Sequence, residues 1–277
     1  MTTVVKIGGA RAVDPAGAIA DIARHIDEGE ELIVVHGGST AVDDLLGALG
    51  EEPEYVTTPS GVTGRFTDEQ TMDVVTMAMA GKLNTAITVA LRAAGINALG
   101  LSGVDGGLLT GPRKSAVRVL EDGKRKIRRG DHAGRIEAVN DDLLALLLDA
   151  GYTPVISLPM LADGTAVNAD ADRTAAAVAG AVAGRLVLLT DVAGVYADPS
   201  EPSTRIDRVD SPPALDTVQD AAEGFMTRKI MAAVEALEAG ATAVYIGDAN
   251  AANPIAAALA GDATHITPGA LDEEVTA

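Results

Sequence analysis

The 277-residue chain has no cysteine and no tryptophan, and only two phenylalanines and four tyrosines. Without cysteine there are no disulfides, no thiolate nucleophile and no thiolate metal site, which fits a cytosolic protein. With aromatics at 2%, the core must be built from Ala, Val, Leu and Ile. Positive charge is scarce as well. Twenty-one Lys and Arg face 40 Asp and Glu, a formal net charge of −19 that repels nucleic acid and anionic lipid. The basic residues are mostly Arg, a bias that fits a proteome adapted to high salt. No apolar run nears the roughly 20 residues that span a bilayer, since the Ala/Gly-rich stretch from Ala175 is broken by Arg185. Met1 leads directly into a strand-like run with no basic or apolar leader, so a cytoplasmic protein without signal peptide is expected. The familiar nucleotide signatures, G-x-x-x-x-G-K-[ST] and G-x-G-x-x-G at the first βα turn, are missing too.

What the chain does have is a glycine-tipped strand used twice. Val4-Val5-Lys6-Ile7-Gly8-Gly9 reads as a buried strand opening onto a ligand, with Lys6 able to reach an anion. Gly8 and Gly9 let backbone N–H groups approach phosphate oxygens. Leu32 to Ser39 repeats the device through Gly37 and Gly38, and the helix from Thr40 adds its N-terminal dipole. Either glycine pair alone reads equally as a tight βα turn; the two together suggest a cradle for a phosphoryl group.

The rest of the chain alternates strands and helices. Asp14 and Pro15 form a cap and first turn ahead of helical spacing through Ile19, Ile22, Ala23 and Ile26. Tyr55 to Phe66 reads as a hairpin-like loop covering a site and carries Arg65; Thr67 to Gln70 is a capping-box pattern opening a helix to about Ala93. Strands follow near 96–101, 153–158, 186–191, 241–246 and 264–267, with helices near 140–150, 172–183, 227–238 and 254–260 between them. This βαβ rhythm predicts an α/β protein, a three-layer αβα sandwich with a mainly parallel sheet. The tail Asp272 to Ala277 is expected to be loose.

Arg113 to Arg135 breaks the acidic pattern. It holds nine of the 21 basic residues against Glu121, Asp122 and Asp131, a local charge of 9 − 3 = +6. The Asp122-Gly123 turn makes it a protruding β-hairpin. A charge run usually marks a solvated face, but on so acidic a protein Lys124, Arg125, Lys126, Arg128 and Arg129 suggest a docking site for an acidic protein.

Phosphoryl transfer needs cations, N–H donors and a group that fixes the cations; Lys6, the glycine tips, Asp170 and Lys229 could supply them. Taken singly, Lys229 reads as a helix-surface lysine and Asp170 as a helix cap. Taken in order, VVKIGGA, VVHGGS, VNAD, LLTDVAGVY and GFMTRK resemble the amino acid kinase family, of which acetylglutamate kinase is a member. The resemblance implies an N-terminal substrate lobe (1–165) and a C-terminal ATP lobe (166–277). It implies that Lys6 and Lys229 neutralise the phosphoryl group in flight, that Asp170 holds both lysines, and that the amides of Gly8, Gly9, Gly37 and Gly38 bind its oxygens. It further implies that Arg65 meets the α-carboxylate region and Asn168 the acyl side, and that Thr190, Asp191 and Tyr196 line the ATP pocket. Mg²⁺ would ride on the ATP phosphates, with no metal held by the protein, and a homodimer is expected.

Three stretches, Thr57 to Thr71, Leu99 to Leu109 and Arg128 to Asn140, are similar to the branch that phosphorylates glutamate or aminoadipate bound to a small acidic carrier protein. Ser39 departs from the family's usual third glycine, and Ala166 from the Asn of acetylglutamate kinases. The alternatives are a kinase of free N-acetylglutamate and a non-catalytic nucleotide or amino-acid sensor on the same fold.

Overall fold

The computed structural model describes residues 1–8, 15–59, 61, 63–121 and 123–272; Gly9, Asp14, Asp122 and the tail after Asp272 lie outside them. The first glycine-tipped run is β1 (Thr3–Ile7), followed by α1 (Pro15–Asp27) and the second run, β2 (Leu32–His36). Both strands are fully buried, as expected of β-branched runs with helices on either side. Next come α2 (Ser39–Ala48) and a small hairpin, β3 (Tyr55–Thr57) with β4 (Thr63–Arg65).

The long helix arrives in three parts: α3 (Glu69–Thr76), a wide π-type turn over Met77–Leu83, and α4 (Asn84–Ala93). Asp68 caps it by accepting the Thr71 N–H at 2.8 Å. By length and composition the continuous 25-residue stretch Glu69–Ala93 could cross a bilayer, contrary to the reading that no run is long enough. Here it packs Val75, Met79, Ile87 and Leu91 into the protein's cores.

The chain continues with β5 (Ala98–Gly103), β6 (Leu109–Thr110), β7 (Arg113–Glu121), β8 (Lys124–Gly134) and β9 (Ala138–Val139). The basic hairpin, β7 with β8, runs from Arg113 to Gly134 and so takes in almost the whole of the charged stretch. Asn140 caps α5 (Asp141–Asp149), and β10 (Thr153–Ala162) and β11 (Thr165–Val167) lead to α6 (Ala171–Ala181). The remaining elements are β12 (Arg185–Thr190), β13 (Arg208–Val209), α7 (Pro212–Ala221), α8 (Phe225–Glu238), β14 (Ala243–Asp248), α9 (Pro254–Leu259) and β15 (Ala263–Ile266).

One eleven-stranded sheet runs β13-β15-β14-β12-β1-β2-β10-β6-β9, with β5 and β11 also on β10. Its pairings are parallel except β14–β15, β10–β11 and β6–β9. Alternate strand residues enter two cores. Val4, Ile33, Ile156, Leu186 and Leu188 face one side with α6 and α8; Val5, Val34, Val155, Val187 and Leu189 face the other with α1, α4 and α9. This is the expected αβα sandwich. Parallel pairing of Ile7 with His36 sets Gly8 and Gly37 side by side at the carboxyl ends of two central strands, the usual place for a ligand in such folds.

Candidate active site

Lys6 leaves β1 and Lys229 lies in the second turn of α8, 223 residues apart in sequence, yet both reach one carboxylate. Lys6 Nζ stands 2.6 Å from Asp172 Oδ1, and Lys229 Nζ donates to Asp172 Oδ2 at 3.0 Å. All three side chains are buried. Burial alone would raise the Asp172 carboxyl, but the two ammonium groups outweigh it and bring it down to about 2. Burial, and then the charge of Lys6, lowers Lys229 against the pull of Asp172. Two cations and one anion leave one uncompensated positive charge in a site shielded from water, which is a receptor for an anion.

The brace is thus Asp172 and not Asp170. Asp170 is the helix cap that its position suggests: Oδ1 accepts the N–H groups of Asp172 and Arg173 at 2.9 and 3.1 Å. A carboxylate turned back onto its own helix terminus cannot also lie between the lysines. Its other oxygen meets Arg228 Nη1 at 3.4 Å, which brings a cation absent from the sequence reading to the site.

A cleft of about 1100 Å³ opens over this triad, and Gly8, Gly37, Gly38, Asn168, Thr190 and Asp191 line it. The Gly37 N–H, expected to face the ligand, instead donates to the Ile7 carbonyl at 3.0 Å and continues the sheet ladder. Among the described residues the Gly38 N–H has no partner, and the first N–H groups of α2 are open as at any helix start. Met79 and Leu83 close over position 38: a Cβ there would lie 2.4 Å from Leu83 Cδ1 and from Met79 Sδ, so these two side chains would have to shift to admit one.

Arg65 reaches the cleft already held in place. Nη1 pairs with Asp43 at 2.5 Å, and Nη2 donates to Ser39 Oγ and Tyr55 OH, both at 3.0 Å. Ser39 is therefore a support for Arg65. Ala166, the other departure, pairs with Leu161 between β11 and β10 and does not line the cleft. Asn168 donates its backbone N–H to His132 O at 2.7 Å and its side chain to Thr67 Oγ1 at 3.2 Å, tying the basic hairpin to the cleft. Thr190 Oγ1 donates to Asp191 at 3.1 Å. Tyr196 does not line the cleft; it pairs with Arg205 through the backbone.

The hairpin sorts its charges by face. On one face Arg128 pairs with Glu54 at 2.8 Å and stacks over Phe66, and Lys126 pairs with Glu121 at 2.8 Å. The other face carries Arg118 opposite Ile127, Leu120 opposite Arg125, and Ala116 opposite Arg129, all exposed. Arg118 was not among the expected docking residues; strand alternation around the Gly123 turn is the signal that would have found it. For Asp172 the signal was proximity in the run Asn168-Ala169-Asp170-Ala171-Asp172, and for Arg228 adjacency to Lys229.

Residues 1–248 match the model of the amino acid kinase family. The chain belongs to that family. Among this kinase's relatives, a [LysW]-aminoadipate kinase from Deinococcus radiodurans is 42% identical over 95% of this chain and 91% of its own. An acetylglutamate kinase from Methanopyrus kandleri is 44% identical over 86% of this chain and 91% of its own. Among solved structures, the N-acetylglutamate synthase of Neisseria gonorrhoeae superposes with a TM-score of 0.76 at 25% identity, covering 96% of this chain. The chain spans 59% of the length of that synthase.

Proposed function

We propose that this chain transfers the γ-phosphoryl group of ATP to the side-chain carboxylate of L-2-aminoadipate or L-glutamate whose amino group is linked to a small acidic carrier protein. A carboxylate oxygen attacks the γ-phosphorus, the bond to the β,γ-bridging oxygen breaks, and ADP leaves with that electron pair. The product is an acyl phosphate. The acceptor is ionised at pH 7, so no general base is needed and rate comes from positioning and charge. The observation that carries the reading is the pair of lysines on Asp172 beside the glycine tips.

In this reading Lys6 and Lys229 neutralise the moving phosphoryl group, with Asp172 fixing both, and the Gly8, Gly38 and α2 amides receive its oxygens. Arg65, Asn168 and residues 1–165 serve the acceptor; Thr190, Asp191 and residues 166–277 serve the nucleotide. Mg²⁺ supplies charge neutralisation on the nucleotide phosphates. The carrier docks on the outward hairpin face, where Arg118, Arg125 and Arg129 meet its carboxylates and Leu120 and Ile127 supply apolar contact. At molar salt the screening length is about 3 Å, so direct Arg–carboxylate contacts carry the docking.

The test is hydroxylamine trapping of the acyl phosphate, with ATP and either carrier-linked or free N-acetylated acceptor. Hydroxamate from carrier-linked glutamate or aminoadipate supports the reading. Turnover of free N-acetylglutamate alone would establish the second reading, which the Methanopyrus relative favours.

A further inference from the structure

His36 ends β2, is fully buried, and has no part in the chemistry above. Its ring nevertheless sits in a directed chain of hydrogen bonds. Asn84, the first residue after the π-type turn, places Nδ2 2.8 Å from Val155 O on β10 and 3.2 Å from His36 Nε2. A carbonyl oxygen only accepts, so the Asn84 atom facing it is the NH₂ group, and its second hydrogen goes to His36 Nε2 at 3.2 Å in preference to the more distant Leu101 O at 3.5 Å. Nε2 is then the bare nitrogen, and Nδ1 carries the proton that it donates to Gly37 O at 2.9 Å. Gly100 makes room for this arrangement, since a Cβ there would lie 2.2 Å from Asn84 Oδ1. Burial foremost, and the Lys6 charge, bring the ring down to about 4 against the pull of the Gly37 carbonyl, so it is neutral at pH 7.

The Gly37–Gly38 peptide is trans, so its carbonyl and its N–H point in opposite directions. With the oxygen anchored on the buried ring, the N–H turns towards the cleft. We infer that His36 is a positioning residue for the phosphoryl site: its Nδ1–H fixes the Gly37–Gly38 peptide so that the Gly38 N–H faces the ligand, and Asn84 fixes which ring nitrogen does so. Asn84 in turn is placed by the wide turn whose Met79 and Leu83 close over Gly38, so turn, ring and tip form one unit. The inference rests on the phosphoryl-transfer reading for its kinetic arm only.

With only four histidines in the chain, ¹⁵N-labelled protein resolves the tautomer directly. The expected spectrum has His36 protonated at Nδ1 and bare at Nε2 at pH 7; a proton on Nε2 overturns the inference. Two variants then separate positioning from packing. In His36→Asn the side-chain amide falls near the Nδ1 position and keeps a donor for Gly37 O; in His36→Gln it falls near Nε2 and does not. With carrier-linked glutamate or aminoadipate as acceptor, His36→Gln should lose roughly 10²-fold in kcat with both KM values near wild type. His36→Asn should stay within about threefold by the same measure. Equal kcat losses that follow equal losses of thermal stability mark a packing residue and overturn the inference, as does a Gln variant more active than the Asn variant. Absence of turnover in the wild-type protein would refute the proposed substrate, whereas a proton on Nε2 would overturn this inference whatever the acceptor.

Discussion

Replacing Asp172 by Asn keeps the shape of the side chain and removes the anion between two buried ammonium groups. Lys6 and Lys229 then face each other without compensation, with side chains 6% and 9% exposed. The protein's escape is to release one proton, and neutralising an ordinary lysine at pH 7 costs at most about 4–5 kcal/mol. That bound agrees with the roughly 3–5 kcal/mol lost when one partner of a buried ion pair is removed. A chain of this size should show a fall in Tm of about 6–15 °C. The sign of the pH dependence follows. In the variant the folded state binds fewer protons than the unfolded chain, so its stability rises with pH between the depressed lysine pKa and the unfolded value near 10.4. Thermal melts of both proteins from pH 6 to 10 should therefore converge at the alkaline end, and polyphosphate anions should raise the Tm of the variant more than that of wild type. Turnover should fall by roughly 10²-fold or more, because both lysines lose their anchor. A variant that melts within 2 °C of wild type across that range, or that keeps near-normal turnover, would refute the reasoning.

Lys6→Ala and Lys229→Ala should each reduce turnover by roughly 10²- to 10³-fold, measured by hydroxamate formation at saturating ATP. In wild type the Asp172 carboxyl sits at about 2, below its unfolded value, so its contribution of about 2 kcal/mol is complete above about pH 4 and is lost as pH falls towards 2, which acid titration of stability reads. Reversing Arg118, Arg125 and Arg129 to Glu should raise KM for a carrier-linked acceptor and leave KM for ATP unchanged; an unchanged acceptor KM makes the hairpin a solvated face. Asp21 on α1 is buried and accepts the N–H groups of Ile255 and Ala256 at 2.7 and 3.0 Å, so Asp21→Ala should cost about 1–2 kcal/mol in denaturant unfolding without changing the kinetics.

The sequence was most legible where a signal is local. The β-branched runs ending in Gly8 and Gly37, the helix start within Thr67 to Gln70 and the βαβ alternation all lie within a few residues of what they specify, although the cap proves to be Asp68 where the capping-box pattern points to Thr67. What escaped depends on partners far along the chain. Asp170 and Asp172 are the same residue type in one short run, and only the helix start separates them: the first turns back to cap it, while the second projects to the lysines. Gly37 reads as a phosphate donor until the register of β1 on β2 assigns its N–H to Ile7. The basic hairpin was evident from its charge, but which of its cations are already paired depends on Glu54 and Phe66, from a different loop. The π-type turn has no proline, and its one weak point, Gly81, reads equally as a glycine tolerated inside a helix; Met79 and Leu83 packing on Gly38 accompany it, a contact that no periodicity encodes. Tyr196 followed a familiar motif into a position that does not line the cleft.

The central claim is that Lys6 and Lys229, held by Asp172, stabilise the phosphoryl group while it is in transit. The direct measurement is calorimetric titration of wild type, Lys6→Ala and Lys229→Ala with Mg·ADP, with and without aluminium fluoride as a mimic of the transferring group. The account predicts that each variant binds Mg·ADP nearly as wild type does and loses roughly 10²- to 10³-fold in affinity for the aluminium fluoride complex. Variants that bind the complex as tightly as wild type would contradict it.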